Sequence, residues 1–101
     1  MRQMSLLFCI VILSACVSYH HNDLQVGIDY FKAQDFRQAY LRLKPEAEHG
    51  QMDAQYAVGY MYYYGQGVVE DRHEACYWIT NAAHAGQHEA MDALKILRQC
   101  G

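Results

Sequence analysis

Basic charge is scarce in this chain: eight Lys and Arg stand against eleven Asp and Glu in 101 residues, a formal charge of −3 with histidine neutral. No basic stripe runs through it, so nucleic acid is excluded as a partner. Long apolar runs are missing as well. The unbroken run from Leu6 to Leu13 holds eight residues, whereas a bilayer-spanning helix needs about 20. Beyond residue 16 the one serine is Ser18, with His21 three residues on; a Ser-x-x-Lys nucleophile pair is therefore absent. No Cys–His pair with a positioned acid is visible either. Of the six histidines, His20, His21, His49, His73, His84 and His88, only His84 and His88 show the four-residue spacing of a helical ligand pair. His73-Glu74 and His88-Glu89 begin zincin-like pairs but lack the second histidine, and Gly86 separates His84 from His88 at a helix boundary. The chain reads as no enzyme, with no metal site and no cofactor.

What is present is a helical pattern with an internal echo. His49-Gly50-Gln51 recurs as Ala85-Gly86-Gln87, 36 positions later, and Ala54 recurs as Ala90. A self-match at that period marks a solenoid, in which each helical pair buries its apolar face by stacking on a neighbour. Ala54, Val58, Met61 and Tyr62 form an apolar stripe at helical spacing. Gly59 lies mid-helix, where it costs about 1 kcal/mol relative to alanine, a cost that makes sense where a second helix crosses closely. Gly65-Gln66-Gly67 stops that helix, and Asp71 is an N-cap candidate for the next. The next helix carries Ala75, Trp78, Ile79, Ala82 and Ala83 and ends at Gly86. Upstream, Leu24, Val26, Ile28 and Phe31 supply one helix face, and Phe36, Ala39, Tyr40 and Leu43 supply the next, with a break near Gln34-Asp35. The single proline, Pro45, is expected to end or kink that second helix, with Glu46 to His49 resuming a turn. Ala90, Ala93, Leu94 and Leu97 make a last amphipathic helix, read as a cap over 87–99.

These landmarks resemble the Sel-1-like repeat family, relatives of the tetratricopeptide repeats. The family pattern is matched by Ala54-Gln55, Gly59, Tyr62, Gly65-x-Gly67-Val68, Asp71, Ala75, Trp78, Ala82-Ala83, Gly86 and Ala90; Val58 in place of leucine is the one departure. Gly27, Tyr30, Asp35-Phe36 and Ala39 resemble the tetratricopeptide version of the same hairpin. The resemblance implies an all-α fold, a short right-handed α-solenoid of antiparallel helix pairs with about five helices. The repeat domain would span 23–101, with its best repeat at 50–86. In the related repeats the first helix of each unit lines a concave groove. By that resemblance Asp53, Tyr56, Tyr60 and Tyr63 would face the groove and bind a protein or peptide, tyrosine offering rigid area with a polar tip. The alternative is that several of these rings pack against the neighbouring hairpin.

The amino terminus carries its own signal. Met1 and Arg2 precede the apolar run, as in a secretory signal peptide. Leu13-Ser14-Ala15-Cys16 resembles a bacterial lipobox, which implies removal of residues 1–15 and a diacylglyceryl thioether with a further fatty acyl group on Cys16. A soluble secreted protein cleaved nearby is the alternative. Several acyl chains anchor stably where one binds marginally. Val17, where Asp would resemble an inner-membrane retention signal, points to an outer-membrane anchor facing the periplasm, with residues 16–22 as a short linker. Losing Arg2 leaves seven basic side chains against eleven acidic, a mature charge of −4. Cys76 and Cys100 then remain, Cys9 having left with the signal peptide. In an oxidising compartment they form an even pair, and the roughly balanced stretches on either side of the Gly86 turn let them meet as a disulfide. Two free thiols, Cys76 buried and Cys100 at a frayed end, are the alternative. The whole reads as a lipid-anchored adaptor for a partner in the bacterial envelope. The competing readings are a β-lactam- or cell-wall-interacting hydrolase-like relative and a structural subunit of an envelope complex.

Overall fold

A computed structural model describes residues 23–97 and Cys100. The expected signal peptide 1–15, the lipidation site Cys16, the linker 16–22 and Ser18 lie outside the described residues. Five helical segments and no strand occur among the described residues: α1 over residues 23–32, α2 Phe36–Glu48, α3 Met52–Tyr64, α4 Arg72–His84 and α5 His88–Ile96. Each packs on the next as an antiparallel hairpin, giving the helical solenoid that the repeat pattern implies.

The turns follow from local chemistry. Gln34 takes a left-handed φ of 63° between α1 and α2, and the amide of Asp35 closes back onto the Tyr30 carbonyl at 3.0 Å. α3 ends at Gly65, whose φ of 65° lets its own amide reach the Met61 carbonyl. Asp71 caps α4 with its carboxylate accepting from the amides of His73 and Glu74. The 36-residue echo has a structural counterpart. Gln51 and Gln87 each follow a positive-φ glycine and each caps a helix with its side-chain oxygen, on Asp53 N and Ala90 N respectively.

Two contiguous cores result. Ala39, Leu43 and Ala47 of α2 meet Ala54, Ala57, Val58 and Met61 of α3 together with Trp78; Ala75, Ile79 and Ala82 of α4 meet Ala90 of α5. Full burial of Leu43, Val58 and Met61 contributes about 1.5–3 kcal/mol each against leaving them exposed. Close approach at the helix crossings depends on glycine. A Cβ on Gly59 would lie 2.7 Å from Ile79 Cγ1 and 3.1 Å from the Ile79 backbone nitrogen, and a Cβ on Gly27 would lie 2.6 Å from Leu43 Cδ2. The same device therefore sets both hairpins.

Two sequence expectations are corrected. Pro45 does not end α2, which continues through it to Glu48. Leu43 and Ala47, both buried, hold the helix in place on either side of the proline. The carbonyl deprived of its partner by the proline belongs to Leu41, an exposed residue. Past the proline, the His49 amide reaches the Pro45 carbonyl at 3.1 Å. Val26 does not join the core face of α1. Leu24, Ile28 and Phe31 do, whereas Val26 lines a shallow depression with Asp29, Tyr30 and Ala33.

Candidate functional site

The third helix decides the surface chemistry. Its sequence places tyrosines at 56, 60, 63 and 64, positions that fall on one side of a helix with 3.6 residues per turn. The structure gathers all four around a cleft of about 160 Å³. Buried Ile79 of α4 contributes to its lining, and Ala93, Ile96 and Leu97, at the end of α5, supply the opposing side. Of the tyrosines expected to face a groove, Tyr56, Tyr60 and Tyr63 thus converge on one cavity. Asp53 is exposed one turn earlier on α3 and is not among the lining residues; its carboxylate accepts from the Gln87 side-chain amide at 3.5 Å.

The rings are held by one another. Tyr60 packs edge-on against Phe31 of α1 at 5.3 Å and at a tilt against Tyr64 at 4.7 Å, and Tyr64 packs edge-on against Tyr63 at 4.9 Å. Such pairs contribute about 0.5–1.5 kcal/mol each. The Arg72 guanidinium lies 3.9 Å over the Tyr63 ring while its Nε donates to Glu70 at 3.0 Å, so Tyr63 is held by a cation over its ring as well as by Tyr64. Tyr60 therefore does both things weighed for it: it packs on the neighbouring hairpin and it lines the cleft. Burial pushes the Tyr56 phenol up, with the negative charge of Glu89 adding to the effect. Tyr62 faces the other way and joins the core, its hydroxyl 2.8 Å from that of Tyr40. A set of rings fixed before contact loses little side-chain entropy on binding, which favours recognition.

Sequence reasoning missed Tyr64, Arg72 and the α5 side of this cleft. Ile96 is 78% exposed and Tyr64 56%, which is unusual for large apolar groups and becomes readable only once α3 and α5 are adjacent. The α5 segment is held from its far end: Cys76 and Cys100 are joined as a disulfide with Cα atoms 5.2 Å apart. Among the described residues no group of His, Cys, Asp and Glu could hold a metal ion, and no helix is long and apolar enough to cross a membrane. His84 closes α4 and His88 opens α5, so they occupy different helices.

Residues 53–87 match the model of the Sel1 repeat. Comparison with the curated proteins and with the solved structures found no match in either. The matched span begins at the first turn of α3, includes all of α4 and ends at the cap of α5. It holds every tyrosine of α3. Sel1 repeats mediate protein–protein interaction and generally serve as adaptors rather than enzymes. The α3–α4 hairpin thus matches one Sel1 repeat.

Proposed function

We propose that the chain is a lipid-anchored adaptor of the bacterial envelope, tethered through diacylglycerol and fatty acyl groups on Cys16 to the outer membrane and facing the periplasm. It holds a protein or peptide partner in the cleft between α3 and α5. The observation that carries the binding half is the convergence of Tyr56, Tyr60 and Tyr63 with Tyr64 on one open, apolar cavity of a Sel1 repeat. Tyrosine suits such a role because it gives large contact area with few rotamers to freeze. The tethering half rests on Leu13-Ser14-Ala15-Cys16 behind its short apolar run.

The test is photo-crosslinking in cells from benzoylphenylalanine placed at Tyr60 or Tyr63, with products identified by mass spectrometry. One dominant partner is expected, and Cys16→Ala should abolish its capture by releasing the protein from the membrane. A blank from folded, membrane-bound protein would move the binding surface off the cleft. Capture undiminished by Cys16→Ala would remove the anchor from the reading.

A further inference from the structure

The cleft limits what it can hold. Its volume of about 160 Å³ is close to that of a cavity accepting one benzene-sized group, roughly 150 Å³. Pockets for whole small molecules begin at about 300 Å³. One side chain fits, and neither a cofactor nor a full helix face does. The lining specifies its character: tyrosine rings, Ile79, Ala93 and Leu97 offer apolar walls without a charge.

Charge enters at one end. Asp53 and Glu89 are both exposed, and the Gln87 side-chain amide bridges them, 3.5 Å from Asp53 Oδ1 and 2.6 Å from Glu89 Oε2. Two carboxylates thus share one neutral donor beside Tyr56. The nearby cations are already engaged: Arg72 with Glu70 at 3.0 Å, at the Tyr63 end, and Lys95 with Asp92 at 3.2 Å. A ligand cation arriving at the Asp53–Glu89 rim therefore meets two carboxylates whose side-chain partner among the described residues is a neutral amide. The geometry sets a spacing as well. Asp53 and Tyr60 are seven residues apart on α3, about 10 Å along a helix axis. Extended peptide covers that in about three residues.

We propose that this face binds an extended peptide that places one aliphatic or prolyl side chain in the tyrosine cleft and a lysine or arginine, two or three residues away, against the Asp53–Glu89 rim. This rests on the adaptor reading above and names the chemistry of its partner. Tyr60 and its neighbours supply affinity through buried area. The acidic rim supplies direction, since a peptide bound in reverse would carry its cation toward Arg72.

The test pans a random heptapeptide phage library against the full-length protein in detergent micelles, alongside Tyr60→Ala and the double variant Asp53→Lys/Glu89→Lys. Fluorescence of the single tryptophan, Trp78, checks that each variant is folded. Wild type should enrich peptides with an aliphatic or prolyl residue and a basic one at the stated spacing, at least tenfold over the input. Tyr60→Ala should lose that enrichment, and the double variant should switch selection to acidic peptides. Apolar peptides with no basic preference, untouched by the charge swap, would overturn this inference and leave the adaptor reading standing. No enrichment, or enrichment indifferent to Tyr60→Ala, would overturn both. Dimerisation by sedimentation, lost in Tyr60→Ala, would assign the cleft to a second copy of the chain and equally overturn the peptide.

Discussion

The two hairpins share a plan and differ in how much of it each helix can use. In α1–α2 three residues make the turn, and a lone left-handed Gln34 reverses the chain. In α3–α4 seven residues do so, opened by Gly65 and carrying Gly67 and Val68 across to the start of α2. A Cβ on Gly67 would meet the Phe36 carbonyl carbon and oxygen at 2.6 Å, so the longer loop seats on the shorter hairpin. α3 lies between α2 and α4 and buries six of its thirteen residues. Among the described residues α1 has one neighbouring hairpin to pack against, and it buries its apolar face only in part. In a solenoid a helix with neighbours on both sides becomes core, and an end helix must be secured otherwise. At the other end, α5 buries only Ala90 fully, and a disulfide supplies the security.

The largest expected effect breaks that end. Replacing Cys76 and Cys100 with serine opens a loop of 24-residue separation, worth about 3.5 kcal/mol in the loop-entropy account. Urea unfolding followed by Trp78 should show the loss. Hydrogen exchange should quicken in α5 first while the amides of α3 stay protected, because the cleft side from Ile96 to Leu97 lies next to the severed tie. Uniform exchange across both helices would mean the molecule opens as one unit and that α5 is not a separate end.

A sharper comparison comes from the paired glycines. Gly59→Ala sets a methyl against Ile79 Cγ1 with the Ile79 backbone nitrogen at 3.1 Å and the Ala75 carbonyl oxygen at 3.2 Å. Two backbone atoms of α4 cannot step aside, so about 2–3 kcal/mol should be lost despite alanine's better helix propensity. Gly27→Ala meets Leu43 Cδ2 and Cγ and the Arg42 Cβ, all side-chain atoms of α2, and α1, the outermost described helix, can shift away from them. A loss of about 1 kcal/mol or less is expected there. Equal losses in paired unfolding curves would show that α1 is clamped as firmly as α3.

Much of this was legible because repeat chemistry is local. Ala54, Val58 and Met61 form the predicted stripe and are fully buried; Asp71 caps α4, and Gly65 ends α3, as their residue types require. The mid-helix glycine announced a close crossing, and Ile79 makes it. Tyr56, Tyr60 and Tyr63 could be placed on one face by counting along α3. What counting could not supply was the opposite side of the cleft. Ile96 and Leu97 become neighbours of Tyr63 only through the α4–α5 turn, and Arg72 reaches Tyr63 across a seven-residue loop. Of the two outcomes expected at Pro45, an end to the helix fails because the local rule about its ring competes with burial of Leu43 and Ala47 on both sides, and burial wins.

The smallest effect probes the seam between the hairpins. Tyr62 of α3 and Tyr40 of α2 share a hydrogen bond of 2.8 Å, with the Lys44 ammonium over the Tyr40 ring at 5.7 Å and over Trp78 at 5.6 Å. Tyr62→Phe should cost about 1 kcal/mol at pH 7, the net worth of one such bond. Burial, then the bond to Tyr40 and then the nearby negative charges, push the Tyr62 phenol well above its ordinary value. In the unfolded chain it ionises near pH 10. Below that pH both states keep the proton and the bond contributes fully. Above it the unfolded chain releases its proton first, so stability falls as pH climbs toward the folded value, by about 1.4 kcal/mol per unit. Phenylalanine has no proton to lose. The gap between the two proteins should therefore close by about pH 11 in urea titrations read at Trp78. Parallel curves from pH 9 to 11 would mean the phenol is not held protonated at the seam, and that apolar contact alone joins the hairpins.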